Sequence, residues 1–176
     1  MQENRGLYLE KAIQTVIYSS SELALIKELH HMIMEKHKEF KKEEAFYFLI
    51  EYLLKKYTGK VEQNNAQISI QIKEACEYMD INYRNQISLE DLCNVSGIKK
   101  YTLLRNFTKQ CGVTPYQYLE TIRINHAKKL LEFGIEPIEA AMQTGFSDQS
   151  HFTRFFKSFI GITPKQYQII FKEEDI

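Results

Sequence analysis

The feature that most constrains this chain is a duplication. Residues late in the sequence repeat residues in its middle at a constant offset of 49. Leu89 pairs with Ile138, Glu90 with Glu139, Leu103 with Phe152, Arg105 with Arg154, and Phe107 with Phe156. Gly112-Val113-Thr114-Pro115 then matches Gly161-Ile162-Thr163-Pro164, and Gln117 and Tyr118 match Gln166 and Tyr167. Only the turn glycine slips by one residue, Gly97 against Gly145. Each copy reads as helix, glycine turn, helix: 89–96 then 99–110, and 137–144 then 148–159. A supersecondary unit used twice in this way predicts an all-α fold containing two helix-turn-helix units.

A single glycine between two helices is weak, because any small helical bundle can show one. The matching tails strengthen it. In Thr114-Pro115-Tyr116-Gln117 the threonine can cap, the proline suits the first helical position, and the glutamine can reach back to the cap. Thr163-Pro164-Lys165-Gln166 repeats the arrangement. The helix begun at Pro115 runs through Ile122, Ile124, Ala127, Leu130 and Leu131 to about Phe133, where Gly134 ends it. It is long enough to connect the two units rigidly.

The amino-terminal third reads differently. Residues 7–17 are ambiguous between strand and helix. Ser19 to Ser21 with Glu22 suits a helix start, and Leu23, Leu25, Ile26, Leu29, Met32 and Ile33 keep helical spacing to about His37. After the charged break Lys38 to Glu44, a second helix carries Phe46, Leu49, Ile50, Leu53 and Tyr57 as one stripe, with Gly59 as terminator. Two such apolar faces with little nearby to cover them suggest a dimerisation hairpin. The alternative is that they pack on residues 1–17 or on the carboxy-terminal part. His30, His31 and His37 lie on the first helix, but no cysteine or carboxylate cluster completes a metal site around them. The resulting division is a helical segment over 1–57, a polar linker over 58–67, and a duplicated region over 68–176. Within the last, the units span about 68–114 and 134–171, with the connector helix at about 115–133.

Composition argues against several classes. With 44% hydrophobic and 26% charged residues, this is globular composition. No apolar run is long enough to cross a bilayer, and Met1 to Gly6 lacks the pattern of a signal peptide, so a cytoplasmic protein without a membrane partner is expected. Cys76, Cys93 and Cys111 are odd in number and lack a Cys-x-x-Cys pair, so packing is a better reading than a disulfide framework or zinc site. The 23 basic and 23 acidic residues cancel. Placement matters more than the sum: Lys99, Lys100, Arg105 and Lys109 share an acid-free stretch, as do Arg154, Lys157 and Lys165. Acids gather at Glu74, Glu77 and Asp80, at Glu90 and Asp91, and at Glu173 to Asp175.

The second helix of a helix-turn-helix unit fits the major groove of B-DNA, and its first residues reach base edges. In 99–110, Leu103 and Phe107 form the core pair. The opposite surface should show Lys99, Lys100, Tyr101, Thr102, Arg105, Asn106 and Lys109. Arg105 can grip guanine in bidentate fashion, worth roughly 1–3 kcal/mol of discrimination, and Leu104 could touch a thymine methyl. In 148–159, Phe152 and Phe156 are core and leave Gln149, Ser150, Thr153, Arg154 and Lys157 outside. Ser147 and Asp148 suit a helix cap, since aspartate would repel phosphate. His151 is divided between packing on Phe155 and facing DNA. Arg123, Lys128 and Lys129 on the connector are candidate phosphate contacts, or simply a solvated face. Two rigidly joined helices would enter successive major-groove segments, roughly 34 Å apart.

Residues 68–171 resemble the DNA-binding domain of the AraC/XylS family of bacterial transcription regulators. The resemblance rests on ISLEDLCNVSGIKKYTLLRNFTKQCGVTPYQYL, on RINHAKKLL, and above all on TGFSDQSHFTRFFKSFIGITPKQY. It implies two helix-turn-helix units joined by a long helix, double-stranded DNA as partner, a nucleoid-associated bacterial protein, and regulation that can involve RNA polymerase. The family's base-contacting positions fall on Tyr101, Leu104 and Arg105. The domain is often preceded by a ligand-sensing β-barrel and dimerising helices; residues 19–57 look like the helices, implying a homodimer. About 18 residues before them are too few for an eight-stranded barrel, which leaves open a truncated or naturally short regulator, one whose signal arrives by another route, or a sensorless protein that pairs with or titrates a full-length relative. An AraC-like unit also occurs fused to alkylation-repair methyltransferases, but Cys93 and Cys111 lack a Pro-Cys-His type setting, so no enzyme and no cofactor is expected.

Overall fold

The computed structural model describes residues 20–34, 39–58 and 66–172. Residues 7–17, His37, Gly59, most of the expected linker and the side chain of Tyr57 lie outside the described residues. Among the described residues there are nine helices and no strand. They are α1 (Ser20–Met34), α2 (Glu39–Thr58), α3 (Ala66–Asn82), α4 (Leu89–Ser96), α5 (Lys100–Cys111), α6 (Pro115–Glu132), α7 (Pro137–Gln143), α8 (Gln149–Ile160) and α9 (Pro164–Lys172).

The starts are set by side chains that satisfy the free amides of a first turn. Ser88 and Asp91 form a reciprocal capping box at α4, with the Ser88 amide donating to the Asp91 carboxylate at 2.8 Å. These hydrogen bonds hold the Asp91 carboxyl below its usual range. Thr114 and Gln117 do the same at α6, and Thr163 and Gln166 at the start of α9. The duplication is therefore physical as well as textual.

Two hydrophobic clusters form, and one helix feeds both. Ile72, Ala75 and Met79 of α3, Leu89 and Leu92 of α4, and Leu103 and Phe107 of α5 make the first, together with Tyr116 and Leu119 of α6. Ile124, Ala127 and Leu131 of α6 enter the second with Ala140, Ala141, Phe146, Phe152, Phe156 and Tyr167. The connector thus puts its first half into one unit and its second half into the other.

The amino-terminal pair forms a hairpin, and of the two readings given for its apolar faces the second helix takes the alternative one, packing on the carboxy-terminal part. Helices α1 and α2 do pack together, but α2 also packs on α4, α5 and α6. Phe40 is buried in the first cluster, meeting Tyr116 edge to face at 5.6 Å. Glu44 is buried beside it and accepts the Tyr116 amide hydrogen at 3.0 Å. The reason is that Phe40, Tyr47 and Phe48 bury apolar area against the first cluster. On α1, Leu23, Ile26 and Ile33 stay exposed.

Candidate nucleic-acid interface

Helix α8 is built to present one face. Asp148 caps it, accepting the His151 amide hydrogen at 2.6 Å, with the Ser147 hydroxyl 3.5 Å from the same carboxylate. Phe152 and Phe156 are fully buried in a run of ring contacts from Phe146 through Phe152 and Phe156 to Tyr167, at 5.1, 5.5 and 5.4 Å. What remains outward is Gln149, Ser150, Arg154 and Lys157, exposed, with Thr153 half-buried. His151 turns inward: its Nε2 lies 3.1 Å from Oε1 of Glu120 on the connector. Its ring also tilts against Phe146 and Phe155. It faces protein on every side that these contacts define.

Helix α5 is placed differently. Lys99, its N-cap, and Lys109 are exposed. Lys100 is paired through Nζ with Glu43 at 3.0 Å, and Arg105 through Nε with Glu51 at 3.5 Å. The Glu43 carboxylate, hydrogen-bonded to it, holds the Lys100 ammonium above its usual range. Tyr101 and Thr102 are half-buried, and Leu104 is only 2% exposed. Two expectations need correction. Leu104, proposed to meet a thymine methyl, is buried in the first cluster, against which Tyr47 and Phe48 of α2 also pack. Asn106, expected outside, is also buried, with Nδ2 donating to the Thr102 carbonyl at 2.8 Å.

Between the units sits a polar hub that sequence reasoning missed. Arg123, offered above as a phosphate contact, is 1% exposed. It donates from Nε to the Tyr83 carbonyl at 2.7 Å and from Nη2 to the Asn85 carbonyl at 2.8 Å. Its guanidinium also lies 6.0 Å from the Phe146 ring centroid. Burial lowers the Arg123 pKa, and nearby Tyr116 and Glu120 oppose that effect. Gly145 reaches the same loop: a Cβ there would lie 2.7 Å from the Arg84 carbonyl oxygen and 2.8 Å from that of Tyr83. Tyr83 stacks on His126 of the connector at 4.0 Å. The signal available in the sequence was Glu120 and Arg123 lying on the same side of a helix as its core residues. Of the other connector cations, Lys128 lies over the Tyr167 ring at 5.8 Å and Lys129 is exposed.

The cysteines are poor nucleophiles. Cys76 and Cys111 approach to 3.9 Å between sulfurs, and burial pushes the Cys76 thiol up to about 12. Burial raises Cys93 and Cys111 as well, so little thiolate exists near neutrality. No described helix is long and apolar enough to cross a membrane.

Comparison with known proteins agrees with this architecture. A family model described as a helix-turn-helix domain matches residues 92–169. The HTH-type transcriptional regulator YbfI of Bacillus subtilis is 48% identical over 139 residues, covering 78% of this chain and 50% of that protein. This chain therefore spans about half the length of that relative. Among solved structures, a probable AraC family transcriptional regulator from Rhodopseudomonas palustris superposes with a TM-score of 0.54 at 27% identity, over 58% of this chain and 97% of that one. The DNA-binding domain of AdpA, solved in complex with a target DNA, shares the fold at a TM-score of 0.56 and 24% identity, over 59% of this chain and 95% of that one. With two capped helix-turn-helix units on a shared connector, the chain carries a helix-turn-helix domain of the AraC-type family.

Proposed function

We propose that α5 and α8 are the two reading helices of a sequence-specific regulator and enter successive major-groove segments on one face of the duplex. In this reading Gln149, Ser150, Thr153 and Arg154 of α8 meet base edges or adjacent phosphates, and Lys157 meets the backbone. Lys100, Tyr101 and Arg105 of α5 play the corresponding part, with Lys99 and Lys109 on phosphates. The observation that carries the reading is α8 itself. Its outward face is polar and basic, while its inner face is clamped by Phe152, Phe156 and the Glu120–His151 contact. A rigidly held helix loses little freedom when it docks, which favours selective binding. The AdpA domain's complex with DNA supports the same use of this fold.

Alanine at Gln149 and at Arg154 tests it in a gel-shift titration. Affinity for a duplex selected from random sequence should fall roughly 5- to 100-fold, with a much smaller loss on unselected DNA. Equal loss on both would refute base reading by these residues. Pairing into a homodimer through α1 and α2 is supported by the exposed Leu23, Ile26 and Ile33. Sedimentation of the wild-type chain beside a Leu23→Glu/Ile26→Glu variant tests it, and a wild-type monomer at micromolar concentration would exclude it.

A further inference from the structure

We propose that α2 is an internal competitor for DNA: it occupies the reading face of α5, so that the first unit reads DNA only when α2 leaves. This rests on the reading of α5 and α8 as the DNA-contacting helices.

The duplication supplies an internal control. At the offset of 49, Lys100, Tyr101, Leu104, Arg105 and Thr108 correspond to Gln149, Ser150, Thr153, Arg154 and Lys157. On α8 four of these five are exposed and Thr153 is half-buried. On α5 none is exposed, and Leu104 is buried. Both helices hold their cores with the same pair of positions, Leu103 and Phe107 against Phe152 and Phe156, all buried. The difference therefore lies in what covers the outer face. Glu43 on Lys100 and Glu51 on Arg105 are contributed by α2, and Phe40 and Glu44 fasten the same helix to Tyr116.

Two physical points turn this cover into competition. The first is steric. A helix with its side chains is about 10–12 Å across and the major groove is about 12 Å wide, so α5 fits alone and not with α2 beside it. The second is chemical. The Glu43 and Glu51 carboxylates neutralise two cations that would otherwise meet phosphate or guanine, so DNA and α2 offer rival acceptors to the same donors. The cover is also only partly rooted. The Glu43 and Glu51 side chains remain 34% and 24% exposed, and Phe46 and Leu54 of α2 are each 49% exposed.

The test uses the full chain and a Glu43→Gln/Glu51→Gln variant, each given duplexes selected from random sequence. The variant should bind roughly tenfold tighter, as expected for loss of two partly exposed ion pairs. It should protect two segments about 10 bp apart in a hydroxyl-radical footprint. The wild-type chain should protect mainly one segment, and its α2 amides should lose hydrogen-exchange protection as saturating DNA fills the second. A Glu74→Gln/Glu77→Gln variant gains the same net charge on the exposed side of α3 and should bind like wild type. The proposal is overturned if wild type covers both segments while α2 stays protected, or if the α3 variant gains as much affinity. Failure of wild type and variant alike to select any duplex would instead overturn the DNA reading itself.

Discussion

Replacing Arg123 by methionine should uncouple the two helix-turn-helix units, and the cost follows from what the guanidinium touches. Arg123 is 1% exposed and gives charge-assisted hydrogen bonds of 2.7 and 2.8 Å to the carbonyls of Tyr83 and Asn85. Each such bond is worth about 1.5–3 kcal/mol, and each carbonyl left without a partner keeps its own desolvation penalty. Methionine regains some apolar burial and removes the cost of holding a cation inside, which offsets part of the loss. Deleting one partner from a buried charged network typically costs about 3–5 kcal/mol. Against a total stability of about 5–15 kcal/mol that is a large fraction. Urea unfolding followed by far-ultraviolet circular dichroism measures it, with the denaturant slope checking that unfolding stays cooperative. Arg123→Lys should lose about half as much, because an ammonium cannot reproduce the two-pronged geometry. A loss below about 1 kcal/mol for methionine, or full stability with lysine, would refute the assignment of Arg123 as the clamp.

Other consequences of the structure can be checked separately. Gly145→Ala should cost about 2–4 kcal/mol, since φ is +84° and the new Cβ would press on two backbone carbonyls. Gly112→Ala, at φ +73° with open space around it, should cost only about 1–2 kcal/mol in the same urea titration. Arg123→Met and Gly145→Ala disturb the same loop, so their combined cost should be less than their sum. Glu44 sets a pH dependence: burial pushes its carboxyl from 4.5 up to about 7, against hydrogen bonds from Tyr116 and Thr114, with Glu120 reinforcing the rise and Lys41 opposing it. A raised folded-state value means the folded chain keeps a proton that the unfolded chain has lost. The contribution is present below about 4.5 and disappears as pH rises through about 7, a loss of order 3 kcal/mol at most. Glu44→Gln should flatten that decline and exceed wild-type stability at pH 7.5; parallel stability curves for the two proteins between pH 5 and 7.5 would contradict it. Lys157→Ala should weaken binding to all duplexes alike and reduce the log–log salt slope by about 1 without changing the preferred sequence.

Much of the architecture was legible without coordinates because it is local. Capping residues, the proline after each Thr, the left-handed turn glycines and the i, i+4 pairs Leu103/Phe107 and Phe152/Phe156 act within one turn of helix. Their effect on α4 to α9 could therefore be read position by position. The repeat added the inference that two such units share one connector. The outward set on α8 was readable for the same reason: periodicity puts Phe152 and Phe156 inside and leaves Gln149, Ser150 and Arg154 on the other side.

The remaining features depend on residues far apart in sequence. Arg123 resembled a surface cation because its partners, the carbonyls of Tyr83 and Asn85, belong to backbone some 40 positions away, and backbone acceptors carry no sequence signature. His151 was ambiguous until Glu120 stood 3.1 Å from it. Most consequential is α2. Its own pattern marked an amphipathic helix in need of a cover, and nothing in that pattern could say which surface supplies it. Periodicity by itself determined that α5 and α8 are equivalent helices with equivalent inner faces. Only the packing of Glu43, Glu44, Glu51 and Phe40 decided that their outer faces are not equivalent, because burial and charge pairing depend on neighbours in space.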